Sequence, residues 1–281
     1  MKKKFRAALV QMKSSMSKQQ NLAYSLKLIN EAGKKKAKLI CFPEFQMAYS
    51  PAEQKPKGLH KIAETIDGNF ISMLSNSAKK NKINVIATIY EIINTNKQNH
   101  KVFDTAVIIN DRGKLESIYR KVHLYDALGF KESKKLLAGS IIESPTRTSV
   151  GNLGLLICYD MRFPEISRIL TLNGASILVS PSAWVAGFKK QEHWEIMLKA
   201  RAIENGVYVI APNQLGNIYC GRSMVIDPLG STLVDMRNRE GMEIIDIDNS
   251  RIDTIRRTLP LLKNRRTDVY KNYVGVFESE S

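Results

Sequence analysis

Short apolar runs alternate with amphipathic stretches from one end of the chain to the other. Runs at 5–10, 39–42, 84–89, 104–109 and 114–120 are rich in Val and Ile and bounded by Gly, Pro, Asn or Asp. A second series follows at 153–158, 176–180, 207–211, 223–227, 232–234 and 243–247. These lengths and boundaries predict β-strands buried on one or both faces. Between them, residues 18–36 place Leu22, Leu26 and Ile29 on one helical face, and Ser17 with Gln20 forms a capping-box signal at its start. Residues 71–80, 164–172, 194–204 and 250–258 read as further helices. Two strand pairs read as hairpins, around Asn110-Asp111-Arg112-Gly113 and Asp227-Pro228-Leu229-Gly230.

No linker or low-complexity tract interrupts this alternation, so the pattern predicts one α/β domain spanning 1–281. So many strands overfill a single flat sheet, and two sheets covered by helices fit better. Hydrophobic residues at 43% and charged ones at 25% match an ordinary globular chain and argue against disorder. No apolar run approaches the roughly 18 residues of a membrane span. The basic start Met1-Lys2-Lys3-Lys4-Phe5 runs straight into a strand, without the apolar stretch or cleavage site of a signal peptide. The expected location is therefore the cytoplasm, with no membrane partner.

The net charge of +16 raises the alternative of a non-enzymatic, polyanion-binding protein. Lysines are spread over the whole length, however, with local clusters only at 34–36 and near the C-terminus. No nucleic-acid-binding motif accompanies them, so a solvated basic surface is expected and a nucleic-acid partner is not. Cys41, Cys158 and Cys220 have neither the parity of a disulfide framework nor CxxC spacing. No metal-ligand cluster and no phosphate-binding glycine loop appears, so neither a metal nor a cofactor is expected.

Three strands end in a reactive side chain, where α/β folds collect their chemistry. Residues 39–42 run into Pro43-Glu44-Phe45, 114–119 into Arg120-Lys121-Val122-His123, and 154–157 into Cys158-Tyr159-Asp160-Met161-Arg162-Phe163-Pro164-Glu165. Singly, Glu44 reads as a loop acid, Lys121 as a solvated cation and Cys158 as a buried small hydrophobe. Together they supply what thiol acyl transfer needs: a base for the thiol, a cation for the oxyanion and a proton for the leaving amine. The four histidines sit in unrelated contexts and give a Cys–His dyad no specific support.

These segments, with Ala200-Arg201-Ala202-Ile203-Glu204-Asn205 and Gly221-Arg222-Ser223, resemble the nitrilase superfamily in the right order over almost the entire chain. The resemblance implies a four-layer αββα sandwich with two central mixed β-sheets and a Glu–Lys–Cys triad. By position, Glu44 is the implied base, Lys121 the oxyanion cation, assisted by the Tyr159 N–H, and Cys158 the nucleophile. Phe130-Lys131-Glu132 fits the family's second glutamate, so Glu132 is implied to orient Lys121 or the substrate nitrogen, against the alternative of an exposed acid beside Lys131 and Lys134.

Cys158-Tyr159-Asp160 is similar to the Nit-type amidases, including omega-amidase, rather than to nitrilases proper. The implied reaction is hydrolysis of a small carboxamide through a cysteine thioester, with action on a nitrile as the alternative. Arg162 is a candidate for a substrate carboxylate, or else for a salt bridge with Asp160 or Glu165. Tyr49 and Trp184 are candidate pocket aromatics, or plain packing residues. Residues 45–51 depart from the omega-amidase pattern, which leaves the substrate open. The resemblance also implies a homodimer or larger homo-oligomer joined through helices and the C-terminal extension 251–281, in which 256–270 is either part of the interface or a mobile tail.

Overall fold

The computed structural model describes residues 4–93 and 100–271. Residues 272–281 of the expected C-terminal extension lie outside them. In chain order the first half runs β1 (Lys4–Met12), α1 (Lys18–Lys34), β2 (Leu39–Cys41), α2 (Pro56–Ile62), α3 (Asn69–Asn81) and β3 (Asn84–Glu91). There follow β4 (Val102–Ile109), β5 (Leu115–Arg120), a 3₁₀ turn at Glu132–Lys134, β6 (Leu136–Leu137), β7 (Thr146–Arg147) and β8 (Asn152–Leu155). A second 3₁₀ turn at Cys158–Arg162 leads into α4 (Pro164–Leu172), β9 (Ile177–Val179), α5 (Lys190–Asn205), β10 (Tyr208–Ala211), β11 (Asn213–Gly216) and β12 (Tyr219–Cys220). The chain continues through β13 (Met224–Ile226), β14 (Thr232–Asp235), β15 (Gly241–Asp248), α6 (Ser250–Thr258) and α7 (Thr267–Tyr270).

The strands form two mixed sheets. One has the order β12-β11-β1-β2-β3-β4-β5, with β15 also on β1 and β6 also on β4. The other has the order β14-β13-β10-β9-β8-β7. Two-residue alternation explains the layering. Ala7 and Leu9 of β1, Leu39 and Cys41 of β2, and Ala106 and Ile108 of β4 point toward the second sheet and join its core. Their neighbours Ala8, Val10, Ile40, Val107 and Ile109 point the other way and pack with Leu28 and Ile29 of α1 and Leu74 and Ala78 of α3. The second sheet is covered in turn by α4 and α5 through Ile166, Leu170, Trp194 and Leu198. Helix, sheet, sheet and helix are therefore stacked as four layers, and central strands such as β2, β3, β9 and β10 are buried on both faces.

Both expected hairpins form, with Ile109 opposite Leu115 and Ile226 opposite Thr232. Gly113 and Gly230 sit at φ 78° and 85°, where a side chain would be strained. The Ser17 cap forms only by half. Its side chain accepts the Gln20 N–H, while the Gln20 carboxamide accepts from Ser15 Oγ instead of returning to the cap.

One boundary moves in a way that matters. The run 153–158 does not stay a strand to its end, because the Asp160 carboxylate accepts the Ile157 N–H at 3.0 Å and turns the chain before Cys158.

Candidate active site

The carboxyl ends of β2, β5 and β8 converge on a cleft of about 260 Å³. Glu44 lies three residues past β2, Lys121 directly after β5, and Cys158 three residues past β8. All three are buried, Lys121 completely so. The Lys121 ammonium donates to Glu44 Oε1 at 2.7 Å and to Glu132 at 2.9 and 3.1 Å. Glu132 also accepts the Tyr125 N–H at 2.8 Å, so it is committed inward and the exposed-acid alternative does not hold. Lys131 and Lys134 on either side of it face solvent.

The Glu44 loop is held by polar side chains. Thr88 Oγ1 donates to the Pro43 carbonyl and accepts the Gln46 N–H, and Gln214 Nε2 donates to the Glu44 carbonyl at 2.9 Å. Gln214 belongs to no motif, and nothing in its sequence context singles it out.

Cys158 has φ 46°, a left-handed conformation that a residue with a Cβ adopts only when its surroundings impose it. Here the Cys158 N–H donates to the Pro181 carbonyl at 3.0 Å. Asp160, fully buried, fixes the rest of the turn by accepting from Ile157 N–H, Tyr119 Oη at 2.7 Å and His123 N–H at 2.9 Å. His123 Nδ1 also pairs with Asp160 at 2.8 Å, and its ring stacks on Phe163. His123 thus supports the turn and is engaged away from the thiol. Tyr159 N–H lies in the first turn of the 3₁₀ segment, where backbone donors lack helical acceptors and are available to a ligand.

Electrostatics separate the roles. Burial, then the charge of Glu44, hold the Cys158 thiol well above its ordinary pKa, against the pull of Lys121 and the Ala183 N–H. Burial opposes the Lys121 charge, but Glu132 and Glu44 outweigh it and raise the ammonium well above its usual value. These directions favour a neutral thiol beside a charged lysine.

The cleft wall is cationic and aromatic. The Arg162 guanidinium lies 4.6 Å over the Trp184 ring and 5.9 Å over Tyr159, and among the described residues it has no carboxylate partner. The structural salt bridge to Asp160 does not form because Asp160 is occupied by Tyr119, His123 and Ile157. Trp184 lines the cleft and packs on Trp194 at 5.1 Å. Tyr49 does not line it; it sits behind Tyr219, edge to face at 6.1 Å. Lys190 lines the cleft beside Tyr125 and was missed in the sequence because it lies in a polar run at the start of α5. Among the described residues no cluster of ligands fit for a metal ion occurs.

Residues 6–257 match the carbon-nitrogen hydrolase family. The chain belongs to that family. It is 34% identical over 276 residues to the deaminated glutathione amidase of Bos taurus, covering 94% of this chain and 83% of that protein. Against the enzyme of the same name from Synechocystis it is 33% identical over 274 residues, covering 94% and 98%. Two solved structures share the fold. A carbon-nitrogen hydrolase from Helicobacter pylori superposes with TM-score 0.86 at 28% identity, covering 97% and 98% of the chains. Saccharomyces cerevisiae Nit3, of branch 10 of the nitrilase superfamily, superposes with TM-score 0.84 at 31% identity, covering 95% and 98%. The chain is an enzyme that hydrolyses carbon–nitrogen bonds of the amide type.

Proposed function

We propose that this enzyme hydrolyses the terminal amide of a small carboxylate-bearing carboxamide through a thioester on Cys158. The observation that carries the reading is the buried contact of Lys121 with Glu44 and with Glu132, which lines the same cleft as Cys158. Glu44 takes the thiol proton as sulfur attacks the amide carbon. Lys121 and the Tyr159 N–H stabilise the oxyanion, and the proton passes from Glu44 to the nitrogen, which leaves as ammonia. Water, deprotonated by Glu44, then attacks the thioester, and the carboxylic acid departs as the thiol is restored. Glu132 holds Lys121 in place.

Arg162 and Lys190 give the substrate class its motive, since both line the cleft and neither has a carboxylate partner among the described residues. A substrate carboxylate would supply one by charge-assisted hydrogen bonds. Deaminated glutathione, the substrate named for the relatives, has this character.

The test is ammonia release from α-keto amides, deaminated glutathione, uncharged aliphatic amides and nitriles. Turnover is expected on the carboxylate-bearing amides and lost in Cys158→Ala with the fold retained. Full activity in that variant would overturn the reading, and faster turnover of nitriles than of the matching amides would reassign it to nitrile hydrolysis.

The same reading places the enzyme in the cytoplasm as a homo-oligomer. Its three cysteines are free thiols, as suits a reducing compartment. Ile169 and Leu172 on α4 and Ile196 and Ile203 on α5 are exposed apolar residues suited to a second copy. Light scattering reports the assembly directly.

A further inference from the structure

Asp104 stands at the start of β4, 1% exposed, on the rim of the same charged cluster. Its carbonyl accepts the Lys121 N–H at 2.9 Å, which ties the two backbones together. Its carboxyl is the outlying member of the ion cluster. Oδ2 stops 3.9 Å from Lys121 Nζ, too far for a hydrogen bond, and among the described residues it accepts from no donor. The ammonium is already engaged by Glu44 and Glu132.

The groups facing Asp104 leave little to balance another negative charge. Glu44 approaches from the loop after β2, Glu132 from the 3₁₀ turn and Lys121 from the end of β5. Tyr90 lies directly across the ladder on β3, its own hydroxyl buried without a partner, and it is flanked by Tyr219. One ammonium already serves two glutamates, and burial pushes the Glu132 carboxyl above its ordinary range as well. An ionised Asp104 would be a third acid, beside a thiol that has itself to become an anion.

We propose that Asp104 is a neutral carboxylic acid in the resting enzyme, and that its proton, shared with the Glu44 carboxylate, positions Glu44 as the base. Burial first, then the charge of Glu44, hold the Asp104 carboxyl well above the usual carboxylate range, against the pull of Lys121. A proton held between the two carboxyls acts in the same direction. Carboxyl pairs that share one proton behave in this way because two adjacent buried anions repel. Asp104 does not touch the reacting atoms; it acts through Glu44. Once alkali removes its proton, the added negative charge opposes both thiolate and oxyanion, so kcat/KM falls on the alkaline side.

This inference rests on the amidase reading above, and its test has a readout that needs no turnover. Asp104→Asn keeps a neutral donor toward Glu44, whereas Asp104→Ala removes it. A displaced base is expected to lower kcat more than about tenfold in Asp104→Ala, with KM little changed, and by less in Asp104→Asn. In Asp104→Asn the alkaline limb moves upward by about one pH unit or more, since its titrating group is gone. Difference infrared spectra at neutral pH are expected to show a protonated-carboxyl C=O stretch in the wild type that Asp104→Asn lacks. The proposal is overturned if no such band disappears, or if Asp104→Asn leaves the alkaline limb in place. If Asp104→Asn does not fold, Asp104→Ser, also neutral and able to donate, carries the same comparison. A lost infrared band in a protein that releases no ammonia from any amide would uphold the protonation and refute the amidase reading instead.

Discussion

Replacing Lys121 by methionine removes one charge and little volume, and the structure sets how the enzyme should respond. The ammonium lies 2.7 Å from Glu44 and 2.9 Å from Glu132. At an effective dielectric of about 20, each contact is worth about 6 kcal/mol in Coulomb terms. The two together approach the whole stability of a domain, about 5–15 kcal/mol. Lys121→Met therefore cannot keep both carboxylates charged, and one of them takes up a proton, which caps the loss. Protonating a glutamate of ordinary pKa about 4.3 costs about 3.7 kcal/mol near pH 7 and about 1 kcal/mol near pH 5. The upper figure falls within the range of about 3–5 kcal/mol found when buried ion pairs are broken. A carboxyl whose folded pKa is raised stabilises the fold below its unfolded value and loses that contribution as pH rises. The stability gap to wild type should thus widen by about 1.4 kcal/mol per pH unit between pH 5 and pH 7. Urea unfolding at matched pH values measures it, with the slopes checked for equality. Adding Glu132→Gln supplies the neutral partner in advance and should recover most of the stability near pH 7. Turnover should stay about 10²–10³-fold down in both variants, because the proposed mechanism loses its oxyanion cation. A gap that does not change with pH would refute the protonation argument.

Three further outcomes follow from other parts of the molecule. Arg162→Ala should raise KM for carboxylate-bearing amides by about tenfold or more and leave uncharged amides nearly unaffected, measured by steady-state ammonia release. Glu195 bridges Lys199 and Arg222, whose hydrogen bonds lower its pKa from 4.5 to about 2. Its side chain is one-third exposed, so Glu195→Gln should cost about 1 kcal/mol near neutrality. A depressed carboxyl stabilises the fold above its unfolded pKa, so this difference should vanish as pH falls from 4.5 to about 2. Gly139 donates its N–H to the Lys121 carbonyl at 2.8 Å, and a Cβ there would collide with the Arg120 carbonyl. Gly139→Ala should cost about 1–3 kcal/mol in chemical denaturation and reduce kcat together with stability, because Lys121 moves with that backbone.

The sequence made legible whatever repeats or sits at the end of a strong pattern. The helix α1 and both hairpins were found because periodicity and turn residues act locally. Glu44, Lys121 and Cys158 were found because each follows a strand-like run. Elements without such a pattern were missed: α2 lies in a lysine-rich stretch, and the two-residue strands β6, β7 and β12 exist only as extensions of neighbours already in place. The overlong strand reading at 153–158 failed for a different reason. Ile157 and Cys158 are as apolar as the strand before them, and only the carboxylate of Asp160, folded back onto Ile157, ends the ladder.

Asp104 marks the limit of such reading most sharply. In the sequence it is one acid between Phe103 and Thr105 at the start of a strand, the opposite end from where reactive groups were sought. It reaches the cluster because β4 runs antiparallel to both β3 and β5, bringing its amino end level with the carboxyl end of β5. Antiparallel pairing inside a mixed sheet therefore lets both ends of strands contribute to one site. The three carboxyls that result differ in what faces them. Glu132 is engaged by the Tyr125 N–H and Lys121, and Glu44 by Lys121, while the outer oxygen of Asp104 accepts from no donor among the described residues. A single lysine can balance two of these acids at most, so the position that pairs worst with it is where a proton is most cheaply kept. Strand direction thus brings Asp104 to the cluster, and the partners that each acid meets there separate base, anchor and proton holder in the proposed mechanism.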